Sequence, residues 1–286
     1  MGDSDQAKTG AFDLRREAIH WDLEGGMSYS SYLGLDRILN AQRSVSGNHD
    51  EMLFLIIHQV SELWMKLSLH ELYAVVKQIQ KDELDPAFKM LSRVARIQGQ
   101  LILSWDVLST MTPFDYNSFR PSLGKASGFQ SYQYRTLEFL LGNKNRDHLE
   151  VHREDPEVYR HLEEVLEAPS LYDETLRMLS RRGFEIPANR VERDWSEPYH
   201  ALPEVEAAWL EVYRDVVTHW DLYELAEKLV DLEHKFRQWR FNHVTTVERI
   251  IGGKRGTGGS SGVPYLHKAL NLKFFPELWS VRTLID

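Results

Sequence analysis

Two histidines, His58 and His243, are the residues of this 286-residue chain best placed by type and spacing to do chemistry. Each lies within a long stretch of helical periodicity that contains neither Pro nor Gly. Phe54 stands one turn before His58, and Trp239 and Val247 stand one turn either side of His243. A single imidazole among apolar neighbours is most often a hydrogen-bonded core residue. Two of them on two central helices strengthen the case for ligation or proton holding. The chain has no cysteine, which removes disulfides, thiolate zinc sites, iron–sulfur clusters and cysteine nucleophiles together. A helix-borne imidazole is then the natural axial ligand for a haem iron, with the second imidazole serving a distal pocket. Periodicity does not tell which histidine plays which part.

Other chemical patterns are weaker. Gly252 to Gly262 (GGKRGTGGSSG) follows a helix rather than a strand, and Lys254 is followed by Arg255 where a P-loop needs Ser or Thr. The loop reads as a flexible connector or as a lid whose Lys254, Arg255 and Thr257 supply donors to a small anion. A carboxylate di-metal bundle wants Glu-x-x-His on two facing helices. The matches here are Glu17 to His20, near the N-terminus, and Glu197 to His200, interrupted by Pro198. His148 and His152 are four apart, yet the charged run NKNRDHLEVHRED around them reads as a solvated face.

The elements that must hold these residues are helical. Residues 1–26 lack any period and read as a flexible N-terminal arm; residues 27–286 read as one all-α domain. A short helix is expected after Ser28, and a long one over 50–81 that is apolar nearly all round, as in a buried bundle helix. Asp85-Pro86 opens the next, running to about Met111. The segment TPFDYNSFRPSLGKASG permits only a short helix at DYNSFR, and another starts near Ser127 and stops at Gly142. Two amphipathic helices begin at Pro156 and after Ser170, and 184–203 reads as a surface loop. Two more helices cover about 204–217 and 220–251, the second carrying the stripe Leu229, Leu232, Phe236, Trp239, His243, Val247, Ile250. No stretch alternates as a strand does. The expected architecture is a bundle of long helices around a haem pocket, with an N-terminal arm and a Gly-rich lid.

Composition narrows the partners. With 34 basic against 43 acidic residues the net charge is −9, a sign that disfavours nucleic acid and anionic membranes. The N-terminus is polar and Gly-punctuated, and the densest apolar run, Met52 to Ile57, stops at His58, far short of the ~18 residues that cross a bilayer. A cytoplasmic location is the default.

Three strings carry a resemblance: FLIIHQVSELWMKL (54–67), DYNSFRPSLGKASGFQSYQYR (115–135) and FNHVTTVERIIGGKRGTGGSSGVPYL (241–266). With their order and spacing, from about Ile19 to the C-terminus, the chain closely resembles the bacterial-type, haem-dependent tryptophan 2,3-dioxygenase family. The resemblance implies one haem b per subunit with its iron ligated by His243, and His58 hydrogen-bonding the indole N–H of L-tryptophan. It implies that Phe54, Tyr116 and Leu123 line the substrate pocket, that Arg120 grips the carboxylate and that Thr257 reaches in from the closing loop. Trp105 and Ser127 match positions at the haem and its propionates. Tyr29, Tyr32 and Leu33 match residues that wall the pocket of a neighbouring subunit in a homotetramer, a dimer of dimers. The implied reaction opens the indole pyrrole ring with O₂ to give N-formyl-L-kynurenine, the first step of tryptophan catabolism by the kynurenine pathway.

Elementary chemistry agrees at several of these positions. A guanidinium fork pairs with a carboxylate in a plane, which an ammonium cannot do. Phe54 and His58 on one helical face offer an apolar slot with one acceptor, and that acceptor requires neutral His58. An imidazole of pKa about 6.5 is too weak a base to deprotonate an indole N–H fully, so His58 is expected to orient rather than abstract. The rival readings are a haem-free helical small-molecule-binding or scaffold protein, a carboxylate di-metal oxygenase, and the related indoleamine dioxygenase. The Tyr29/Tyr32 segment and the Gly252–Gly262 loop favour the tryptophan enzyme over the last.

Overall fold

The computed structural model describes residues 17–285. The expected N-terminal arm falls partly on residues 1–16, which lie outside the described residues. The chain divides into two compact units, residues 1–43 and 44–286. In the described part of the first, α1 (Tyr29–Leu33) is capped by the Ser28 hydroxyl, and Gly34 at φ 60° turns the chain into α2 (Leu35–Ile38). Neither helix has a buried residue, so no core holds them.

The second unit is built on three long helices: α3 (His49–Lys81), α4 (Leu84–Leu108) and α11 (Trp220–Ile251). At 1.5 Å per residue, α3 is about 50 Å long. It ends at Asp82, whose φ of 64° is left-handed and costs a non-glycine residue strain, and the immediate restart at Leu84 sends α4 back along it. α4 in turn packs on α11. Shorter helices close the sides: α5 (Pro113–Phe119), α6 (Tyr132–Leu141), α7 (Pro156–Glu167), α8 (Leu171–Arg181), α9 (Ala188–Val191), α10 (Pro203–Arg214), α12 (Val263–Leu270) and α13 (Pro276–Ser280). No strand occurs among the described residues.

The all-α expectation therefore holds, with local differences. The fourth helix stops at Leu108 rather than Met111. Ser127 caps only a 3₁₀ turn, Gly128–Gln130, before Ser131 caps α6, and the 184–203 loop contains α9.

The main core joins α3, α4, α6, α8, α10, α11 and α13 around Leu72, Val75, Tyr172, Trp209, Leu225 and Phe275, all essentially inaccessible. A second, smaller cluster joins Leu108, Met111, Phe119 and Ile250 to Phe54 and Trp105. It packs the ends of three helices around the two histidines. By length and composition α3 could also cross a membrane. Here it packs against α4, α5, α6 and α8.

Candidate active site

The two histidines open on one cavity of about 580 Å³, within the range of small-molecule and cofactor pockets. Its wall includes eight of the residues anticipated from the sequence: Phe54, His58, Trp105, Tyr116, Leu123, Ser127, His243 and Thr257. They come from α3, α4, α5, α11, two turns and the Gly-rich loop, so only folding brings them together.

On α3, the Phe54 and His58 rings touch at 4.1 Å between centroids, and Phe54 packs on Phe119 and Tyr116 at 5.5 and 6.0 Å. His58 Nδ1 lies 2.7 Å from the Phe54 carbonyl oxygen, which can only accept, so Nδ1 carries the proton and Nε2 is left as an acceptor. Burial pushes the His58 imidazole below its ordinary range; the Phe54 carbonyl and the Glu62 carboxylate pull the other way. His58 is thus neutral near pH 7, as an acceptor must be.

On another part of the wall, Trp105 stacks on His243 at 4.8 Å and 15°, and Trp239 meets the same imidazole at 5.5 Å. Burial, with a contribution from His58, lowers the His243 pKa to about 4. Its lone pair is free of a proton at neutral pH. Among the described residues no cluster of three or more His, Asp or Glu could hold a bare metal ion.

Arg120 is placed differently. Its side chain is not in the cavity wall; Nη2 donates to the Arg255 carbonyl at 2.5 Å. Thr257 Oγ1 donates to the Ala126 carbonyl at 2.6 Å. These two bonds tie the Gly-rich loop to the turn after α5. Burial pushes the Tyr116 phenol up, and the neighbouring Arg120 guanidinium partly offsets it. Tyr29, Tyr32 and Leu33 lie in the first unit, where the two tyrosines are 75% and 74% exposed.

The structure also adds residues. Trp239, Glu62, Arg135, Glu138, Arg240 and His148 line the cavity. Trp239 and Arg240 stand one turn before His243, so helical spacing alone signalled them; the α6 residues had no such marker. The solvated-face reading of the run at His148 and His152 is corrected. His152 is buried, His148 reaches the cavity with its pKa lowered to about 4 by burial and Arg135, and Lys144 is 1% exposed with Nζ donating to Val165 and Ala168 carbonyls. Lys144 and His152 are buried, and the exposed charges between them concealed this in the sequence.

Residues 15–285 match the family described as tryptophan 2,3-dioxygenase. A tryptophan 2,3-dioxygenase of Burkholderia pseudomallei (strain 668) is 60% identical over 264 residues, 92% of this chain and 86% of that protein. The chain belongs to the tryptophan 2,3-dioxygenase family. Tryptophan 2,3-dioxygenase 1 of Ralstonia nicotianae is similar to the same degree, 60% identical over 262 residues that cover 92% of this chain and 89% of its own length. Membership in the tryptophan 2,3-dioxygenase family makes the chain an enzyme of tryptophan catabolism, and the cavity between His58 and His243 is its candidate active site.

Proposed function

We propose that this cavity holds one haem b, with its iron ligated by His243, and that the enzyme opens the indole pyrrole ring of L-tryptophan with O₂ to give N-formyl-L-kynurenine. The observation that carries the reading is the neutral, tryptophan-stacked His243 opening, with neutral His58, on one cavity large enough for a planar prosthetic group. The donor set fits: one unprotonated imidazole, aromatic walls from Trp105 and Trp239, and the buried Trp105 Nε1, a donor without a protein partner. Ser127 lines the same wall, and its proposed role is to meet a propionate.

When bound, haem supplies the ferrous iron at which O₂ is activated. The protein's own residues do the rest. His58 Nε2 accepts the indole N–H and so fixes which edge of the ring faces the reacting centre. Phe54, Tyr116 and Leu123 supply the apolar slot, which excludes water. Arg120, held beside the loop by the Arg255 carbonyl, turns its guanidinium to the substrate carboxylate, and Thr257 reaches the substrate from the loop that its bond to the Ala126 carbonyl keeps beside the turn after α5. Proximity and orientation carry much of the rate, because both reactants must be held at one edge of the indole.

Tyr29, Tyr32 and Leu33 complete the pocket of a neighbouring subunit in a cytoplasmic homotetramer, a dimer of dimers. Their exposure in the single chain supports this, since large apolar side chains at a free surface favour a covering partner. The test is an anaerobic spectrum of reduced protein with and without L-tryptophan, then addition of O₂ and a scan for N-formylkynurenine. A colourless protein would restore the haem-free binding or scaffold reading. Turnover of tryptamine, which lacks the carboxylate, equal to that of L-tryptophan would remove Arg120 from its assigned role.

A further inference from the structure

Among the described residues, one carboxylate on the cavity wall has no guanidinium partner. Glu62 lies one turn beyond His58 on α3, and both side chains reach the cavity. The other wall carboxylate, Glu138 of α6, is shared between Arg135 and Arg240 and is held ionised by them against the cost of burial. Besides Arg135 and Arg240, which are paired with Glu138, the phenols and imidazoles that line the same cavity are electrically quiet near pH 7. The Tyr116 phenol on α5 and the Tyr134 phenol on α6 are pushed up, and the imidazoles of His148 and of His243 on α11 are pushed down. Glu62 is therefore the charge best placed to act on His58.

An unrestrained carboxylate four residues from a histidine on one helical face tends to pair with it and protonate it. Here Gln133 intervenes from α6. Its Nε2 donates to Glu62 Oε2 at 2.8 Å and to the Glu62 backbone carbonyl at 2.9 Å, which holds the carboxylate to the α6 side.

We propose that Gln133 is a positioning residue for the reaction: by clamping Glu62 it keeps that carboxylate from pairing with His58 and so preserves the neutral imidazole that accepts the indole N–H. The proposal rests on the reading of His58 as that acceptor. A neutral acceptor is lost when His58 gains a proton, so the acid limb of kcat/KM for L-tryptophan, and of L-tryptophan affinity measured by anaerobic equilibrium dialysis, follows His58. Freeing Glu62 moves that limb to higher pH; neutralising it moves the limb to lower pH.

Four variants separate the outcomes. Gln133→Leu is expected to raise the acid limb by about 0.5–1 pH unit and Glu62→Gln to lower it by a similar amount, the size of a screened charge one helical turn away. In Glu62→Gln/Gln133→Leu the limb returns to its position in Glu62→Gln alone. A purely structural Gln133 would shift activity equally with either residue at 62, and that result overturns the proposal, as does an unmoved limb in both single variants. If Gln133→Leu fails to fold, Glu62→Gln alone must still lower the limb in both measurements. His58→Ser is expected to abolish the limb. A limb that survives it sinks the His58 reading itself, whereas a limb that vanishes there but stays fixed in the Glu62 and Gln133 variants sinks only the clamp.

Discussion

Both histidines are neutral for the same reason, burial, yet they are held differently. His58 is fixed through its own helix by the Phe54 carbonyl, and His243 by the faces of Trp105 and Trp239. The proposed ligation through His243 would make haem retention depend on that ring. His243→Ala is expected to purify without the Soret band expected of the parent protein, with its helical circular dichroism retained. An orienting hydrogen bond is worth about 1 kcal/mol, so His58→Ser should lower kcat/KM about fivefold. A loss of 10²–10⁴-fold, with haem and L-tryptophan still bound, would instead mark His58 as a base. At this scale the sequence was informative where helical spacing applied: Phe54 with His58, and Trp239 with His243. Glu62 was one turn from His58 in plain view, but its importance depends on Gln133 from another helix.

Helix ends and loops position the site, and their stability has its own signatures. The turn before α3 converges on Glu51, whose carboxylate accepts from Ser44 Oγ at 2.5 Å, from the Val45 and Ser46 amides at 2.8 Å each, and from the Ser46 hydroxyl. Burial opposes the charge, but these donors outweigh it and lower the pKa to about 2. A depressed carboxylate contributes stability above its unfolded value near 4.5, and that contribution is lost as pH falls from about 4.5 toward 2. Thermal melts should show this loss in the parent protein and a smaller one in Ser46→Ala.

The lid has a steric requirement at Gly262, where φ is 71° and a Cβ would stand 2.6 Å from the Lys254 carbonyl oxygen. Gly262→Ala should hinder loop closure and raise KM for L-tryptophan several-fold, which steady-state kinetics would show. Between α6 and α11, removal of Glu138 leaves two buried guanidinium groups unpaired. Glu138→Ala is expected to cost about 3–5 kcal/mol in urea unfolding, because a buried charge without its partner is expensive.

For the whole molecule, the proposed assembly predicts a tetramer in sedimentation velocity and a pocket that one chain does not complete. Tyr32→Ala should lower kcat/KM while leaving the melt of the main unit unchanged; unaltered kinetics would remove that residue from the pocket.

The sequence by itself determined the helical class, the long helices bearing His58 and His243, the exclusion of thiolate chemistry and the family, because these are written in local period, composition and contiguous strings. The tertiary structure decided what those local patterns cannot encode. It turned Arg120 onto the lid carbonyl, buried Lys144 and His152 at either end of an exposed charged stretch, and brought Gln133 against Glu62 from 71 residues away. Each of these depends on which surfaces meet when helices distant in sequence pack, and the energy of a charge or a hydrogen bond is set by that meeting rather than by its neighbours along the chain.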